Sequence, residues 1–89
     1  MKPNAILINP KDNVAVVLED IPEGNEVILP GRQVLKARED IPSSHKVAVR
    51  DIPEGAELIK YGEMIGAASV SIAKGDWVHT HNLKRGEQK

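Results

Sequence analysis

Residues 51–82 read DIPEGAELIKYGEMIGAASVSIAKGDWVHTHN. Two turn cassettes organise this stretch: Ile52-Pro53-Glu54-Gly55 leads to Leu58, and Ile72-Ala73-Lys74-Gly75 leads to Val78. Each is an apolar anchor, a turn and the start of a new apolar run. Proline at the first central position of a turn presets φ at about −65°, and a glycine two residues later supplies a positive φ without steric cost. The cassette stands twice more upstream, as Ile21-Pro22-Glu23-Gly24 before Val27 and Ile41-Pro42-Ser43-Ser44 before Val47. The first residues of the four are spaced 20, 11 and 20 apart, and Asp precedes three of the four isoleucines, so the chain reads as two similar halves.

Between these corners the segments are short and β-branched. Strands are expected at Ala5–Ile8, Val14–Leu18, Val27–Leu29, Gln33–Ala37, Lys46–Val49, Glu57–Lys60, Ala67–Ile72 and Trp77–His81. No window sustains a helical period for ten residues; at most, Pro42–His45 and Tyr61–Ile65 form single helical turns. Met1–Asn4 and Leu83–Lys89 read as frayed ends. Strands separated by turn signals every 8 to 12 residues or so predict an all-β sandwich or barrel.

Composition limits the rest. At 89 residues the chain is one domain, with an ordered core expected over about residues 5–82, and a domain of this size buries only about 60 to 65 % of the surface its unfolded chain exposes. With no Phe, one Trp and one Tyr, the core falls to Val, Ile, Leu and Ala. There is no cysteine, hence no disulfide framework and no thiolate metal site. Pro3 follows Met1-Lys2, and the apolar run Ala5–Ile8 is too short for a signal peptide or a membrane span, so the expected location is the cytoplasm. A net charge of −1 with interspersed signs lacks the clustered basic face that nucleic-acid binding needs.

All three histidines and both large aromatic residues fall between His45 and Asn82. On a strand, His79 and His81 share one face with Thr80 on the other. Such a pair supplies two ligands to a divalent metal, or a base and a hydrogen-bond donor; equally, it reads as a polar strand end at the surface. A closed zinc site would need a third ligand, from His45, a carboxylate or a partner. His45-Lys46 begins a strand just after a turn, where side chains reach clefts; the alternative is a turn histidine beside a solvated edge lysine. Lys60-Tyr61-Gly62 offers a cation and a phenol for carboxylate and hydroxyl groups, with Gly62 allowing close approach, or else a simple turn with Tyr61 at the core rim. Trp77 marks an interface if exposed and core if buried.

His45-Lys46-Val47-Ala48, Lys60-Tyr61-Gly62, Ile65-Gly66, Ile72-Ala73 with Gly75, and His79-Thr80-His81-Asn82, together with Asp12-Asn13-Val14-Ala15-Val16 upstream, resemble in order and spacing the N-terminal domain of the altronate and galactarate dehydratase family. The resemblance runs from about Ile8 to Asn82. It implies a SAF domain with a β-clip fold of bent hairpins. It also implies a larger catalytic domain or subunit as partner; in the related sulfolactate sulfo-lyase the small domain is a separate chain. Family chemistry removes a proton beside a carboxylate and expels hydroxide, or sulfite in the sulfo-lyase, with a divalent metal such as iron or manganese in the complete enzyme.

Carried onto this chain, the resemblance makes His79 and His81 the catalytic and candidate metal-ligand residues. His45, Lys46, Lys60, Tyr61, Gly62 and Asn82 become substrate contacts, for a sugar acid or a sulfo-hydroxy acid. The chain is then a small subunit or first domain of a hydro-lyase, inactive alone and with no tightly bound metal of its own. Ser43-Ser44 departs from the charged residue and glycine of the other cassettes. The competing expectation is a non-catalytic SAF module that holds a sugar acid or docks a protein, and association of the chain with copies of itself stays open.

Overall fold

The computed structural model describes residues 2–31 and 33–85. Among these residues nine strands follow in order: β1 (Ala5–Ile6), β2 (Val14–Val17), β3 (Glu26–Ile28), β4 (Val34–Lys36), β5 (Lys46–Ala48), β6 (Glu57–Lys60), β7 (Glu63–Ala68), β8 (Trp77–Val78) and β9 (Leu83–Arg85). All pairings are antiparallel, in sheets ordered β1-β2-β5-β8, β3-β4 and β6-β7-β9. Among the described residues the fold is all-β, as the turn spacing predicts.

The four-stranded sheet divides the core. Successive strand side chains point to opposite faces. Ala15, Val17, Val47 and Val49 therefore join Ile21, Val27, Leu29, Leu35, Ala37 and Ile41 on one face, while Val14, Ala48 and Val78 join Ile52, Leu58, Ala68 and Ile72 on the other. Each face is covered by one hairpin and one pair of cassettes. Within each half the two cassettes pair, Ile21 bridging Ile41 and Ile52 bridging Ile72.

The halves match in detail. A shift of 31 residues, the distance from Ile21 to Ile52, carries β2 onto β5, β3 onto β6, β4 onto β7 and β5 onto β8. Hydrogen bonds repeat with it: Gly24 N–H to Ala37 O and Gly55 N–H to Ala68 O are both 2.8 Å. The aspartates before the isoleucines cap their partner cassettes, Asp20 accepting from Ser43 N–H, Asp40 from Glu23 N–H and Asp51 from Lys74 N–H. Strand β5 thus ends one half and begins the other.

Several expected elements differ. Tyr61–Ile65 is no helical turn: Tyr61 and Gly62 have φ of 56° and 81°, and Lys60 pairs with Glu63 across them. Two consecutive positive φ values make the type I′ hairpin loop, whose twist matches that of the strands it joins. Strand β7 consequently begins at Glu63, and Ser69 turns away from the expected Ala67–Ile72 strand to donate to Asn82 O. The strand expected at Trp77–His81 stops at Val78, and the presumed tail forms β9 against β7; residues 86–89 lie outside the described residues. Asn4, placed in a frayed end, is tied down by a 2.7 Å bond from Ile28 N–H to its side-chain oxygen. The remaining strands sit where expected, shifted or trimmed by at most two residues.

Two adjacent polar residues, Asp12 and Asn13, fasten the second hairpin to the first half. The Asn13 amide donates to Glu57 O and accepts from Ile59 N–H, both at 2.8 Å. Asp12 is fully buried, and its carboxylate accepts from Gly62 N–H at 2.8 Å and Asn9 N–H at 3.1 Å. Burial alone would raise its pKa, but the backbone N–H groups of Gly62, Asn9, Tyr61 and Ile8 outweigh that and hold it below the ordinary carboxylate value.

Asp12→Ala leaves those donors without a partner, so the expected loss is about 2 to 3 kcal/mol in urea denaturation. Because the folded pKa is lowered, the Asp12 contribution is full above the ordinary carboxylate value and disappears as pH falls through the folded one. The variant should therefore lose less stability on acidification than the parent; parallel acid profiles would contradict this. Ser44 has a φ of 72° where the three other cassettes carry glycine. The left-handed conformation costs a residue with a Cβ about 1 to 2 kcal/mol, so Ser44→Gly should raise the urea midpoint by roughly 1 kcal/mol of stability, and a lowered midpoint would refute that account of the turn.

Candidate functional site

The site forms where the end strand of the sheet meets the start of β5. Lys46 pairs with Val78 and Val47 with Trp77, which sets His45 beside the turn that follows β8. His45 is itself fixed by backbone bonds, donating to Pro42 O at 3.0 Å and accepting from Val17 N–H at 2.9 Å. His79 and His81 leave the strand, so strand alternation is not what aligns them. Asn82, buried, folds back instead: its amide oxygen accepts from His79 N–H at 3.0 Å, and its amide nitrogen donates to Trp77 O at 2.9 Å.

The turn collects all three imidazoles around one indole. Trp77 stacks on His79 with centroids 5.4 Å apart and planes 9° from parallel. It meets His81 at 5.3 Å and His45 at 5.6 Å in tilted contacts, and His45 lies 4.9 Å from His79. The indole Nε1–H donates to Nδ1 of His45 at 3.1 Å. Among the described residues no other side-chain hydrogen bond engages these rings, and no buried side-chain nitrogen or oxygen lacks a partner. The remaining ring nitrogens therefore open to solvent, available to a ligand.

Trp77 is half-buried, its ring against the first core cluster. It occupies the outer strand of the sheet, yet its edge groups are taken, since Glu39 Oε2 accepts from its N–H at 3.1 Å and Asn82 donates to its carbonyl. Side chains close this edge against pairing with another strand. Beside it, Arg38 and Asp76 form a partly exposed 2.9 Å ion pair, worth at most about 1 kcal/mol.

Desolvation lowers the pKa of His79, and the positive charges of His45, Lys46 and His81, when present, lower it further. Both causes favour the neutral form of the ring, in which one nitrogen keeps a lone pair.

The expected catalytic residues and substrate contacts separate into two groups. His45, Lys46, His79 and His81 come together. Lys60, Tyr61 and Gly62 sit at the tip of the β6-β7 hairpin, whereas the histidine turn borders its base through Ala68 and Leu83. Five residues of β7 separate the two ends, about 17 Å along a strand. At the tip, Lys60 Nζ lies 5.1 Å from the centroid of the Tyr61 ring, and Gly62 donates to Asp12. Both amide ends of Asn82 are engaged within its own turn. The sequence reading missed Asn82 as a clamp and Trp77 as the centre of the site; the only available signal was Asn82 three residues after His79, the spacing of a side chain that folds back on its own turn.

For a metal, the donor set falls short: among the described residues no group of three His, Asp or Glu side chains is close enough to hold one. His79 and His81 would give at most two ligands of a centre completed elsewhere.

The family model for the altronate/galactarate dehydratase SAF domain matches residues 3–86. The chain belongs to that family. Altronate dehydratase from Escherichia coli (strain K12) is 47% identical over 79 residues, and that from Bacillus subtilis (strain 168) is 38% identical over 79 residues. Each comparison covers 89% of this chain and 16% of the relative, so the chain spans about one sixth of the length of these curated relatives. The all-β architecture agrees with a small SAF-like fold, and no helix among the described residues is long and apolar enough to cross a membrane.

In this SAF domain, the His79 ring should titrate below the ordinary histidine value of 6.5, as read from its Cε1–H shift by NMR. Lys46→Ala, which removes one of the repelling charges, should move it upward. Since the unfolded chain takes up its proton first, the ring's contribution to stability falls as pH drops below the ordinary value. A His79 titration at or above that value would contradict the geometry.

Proposed function

We propose that this SAF domain is the small part of a hydroxy-acid lyase of the altronate or galactarate dehydratase type, whose active site is completed by a larger domain or subunit. The observation that carries the reading is the gathering of His45, His79 and His81 around Trp77 with ring nitrogens open to solvent. Lyase chemistry beside a carboxylate needs groups that take a proton from carbon and give one to the leaving oxygen, and imidazoles titrate in the range suited to both. His79, whose surroundings favour the neutral ring, takes the proton-accepting part, and His81 stands against the same indole. Lys46, at the start of β5, suits the substrate carboxylate. Lys60, Tyr61 and Gly62, at the far end of the hairpin, fit a contact with the larger partner better than a place beside these rings.

A divalent metal such as iron or manganese, in the complete enzyme, would draw most of its ligands from the partner, because the donors present here number too few. The substrate class is a sugar acid; sulfolactate, cleaved with loss of sulfite, is the variant within the same enzyme class. The working location is the cytoplasm. The second reading, a non-catalytic module that holds a sugar acid or docks a protein, draws on that same shortage of metal donors.

In a complex reconstituted with the larger polypeptide, His79→Ala combined with His81→Ala should lower turnover of altronate or galactarate at least about tenfold while the circular dichroism spectrum is retained. The isolated chain should give no measurable turnover. Unchanged kinetics in the double variant would favour the binding module.

A further inference from the structure

We infer that Trp77 is the positioning residue of the imidazole cluster: its indole N–H holds His45 with the proton on Nε2, which makes His45 a hydrogen-bond donor to a ligand oxygen and not a metal ligand. This deepens the lyase reading and rests on it only for the nature of the ligand.

Indole Nε1–H is a donor with no acceptor capacity, and neutral imidazole has one donor and one acceptor nitrogen. The 3.1 Å contact from Trp77 Nε1 to His45 Nδ1 therefore assigns the acceptor to Nδ1 and the proton to Nε2. A protonated ring nitrogen has no lone pair for a cation, while Nδ1 is already occupied. The neutral ring thus offers a ligand only the Nε2–H donor, which suits a hydroxyl or carboxylate oxygen.

The donor is set before any ligand arrives, because Trp77 is fixed on every side. Its backbone N–H is bonded to Glu39 and its carbonyl to Asn82, its strand pairs with Val47, and its ring packs on the first core cluster. His45 is held equally by its backbone bonds to Pro42 and Val17. The same indole faces His79 and His81, so one side chain orients the cluster. The division of labour follows: His45 donates, and His79 and His81 keep the lone pairs.

The test is nitrogen-detected NMR on the 15N-labelled chain at a pH where the rings are neutral. A through-hydrogen-bond coupling between Trp77 Nε1 and His45 Nδ1 is expected, with the shift of an acceptor nitrogen at Nδ1 and of a protonated nitrogen at Nε2. Trp77→Phe should abolish the coupling and move the Nδ1 shift toward the average of two tautomers. Added Zn2+, used alone as a probe, should leave the protonated signature of His45 Nε2 in place. A protonated Nδ1 in the parent chain, or conversion of His45 Nε2 to a metal-bound nitrogen by Zn2+, would overturn the inference. These signatures need no turnover, so they stand or fall separately from the lyase kinetics.

Discussion

Strand β5 is buried on both faces, and that constraint sets everything around it. Val47 packs into one core cluster and Ala48 into the other, while β2 pairs along one edge and β8 along the other. A slip of one residue would exchange Val47 and Ala48 between two cores of different shape and move every neighbour with them. The 31-residue duplication works because this strand belongs to both copies, closing the first and opening the second. Two hairpins and two cassette pairs then cover the two faces of one sheet.

The candidate site is a consequence of that shared strand. His45 comes from the corner entering β5, and Trp77, His79 and His81 come from the strand that pairs with it and the turn beyond. Contacts between residues more than thirty positions apart are thereby fixed by backbone register. The edge that carries them is closed to further strands by Glu39 and Asn82, while the ring nitrogens stay open. The chain presents prepositioned imidazoles, and among its described residues no group of three possible metal ligands stands together.

Much of the fold was legible because turn chemistry is local. The spacing of Ile21, Ile41, Ile52 and Ile72 matched the two Ile–Ile bridges, and β-branched runs marked β2, β3 and β6. What stayed hidden depends on contacts between distant residues. Tyr61 in a left-handed conformation disguised a type I′ loop that Asn-Gly or Asp-Gly would have announced, and the loop is favoured there because Gly62 N–H finds the buried Asp12 carboxylate fifty residues away. The strand expected through His81 ended early because Asn82 captures the backbone at both Trp77 and His79. The histidines were identified as site candidates by residue type and family resemblance, but their partner in the centre, Trp77, carried no pattern that distinguished it from core. Lys60, Tyr61 and Gly62 were grouped with them by motif, and only the direction of the hairpin separates the two ends.

The most direct test of this account is the set of nuclear Overhauser effects between the Trp77 indole protons and the imidazole protons of the free chain. The register of β5 with β8 and the Asn82-clamped turn require effects to His45, His79 and His81 alike. Rings of His79 or His81 that give no effect to the indole would mean that the turn does not gather them, and the site built on that gathering would not exist.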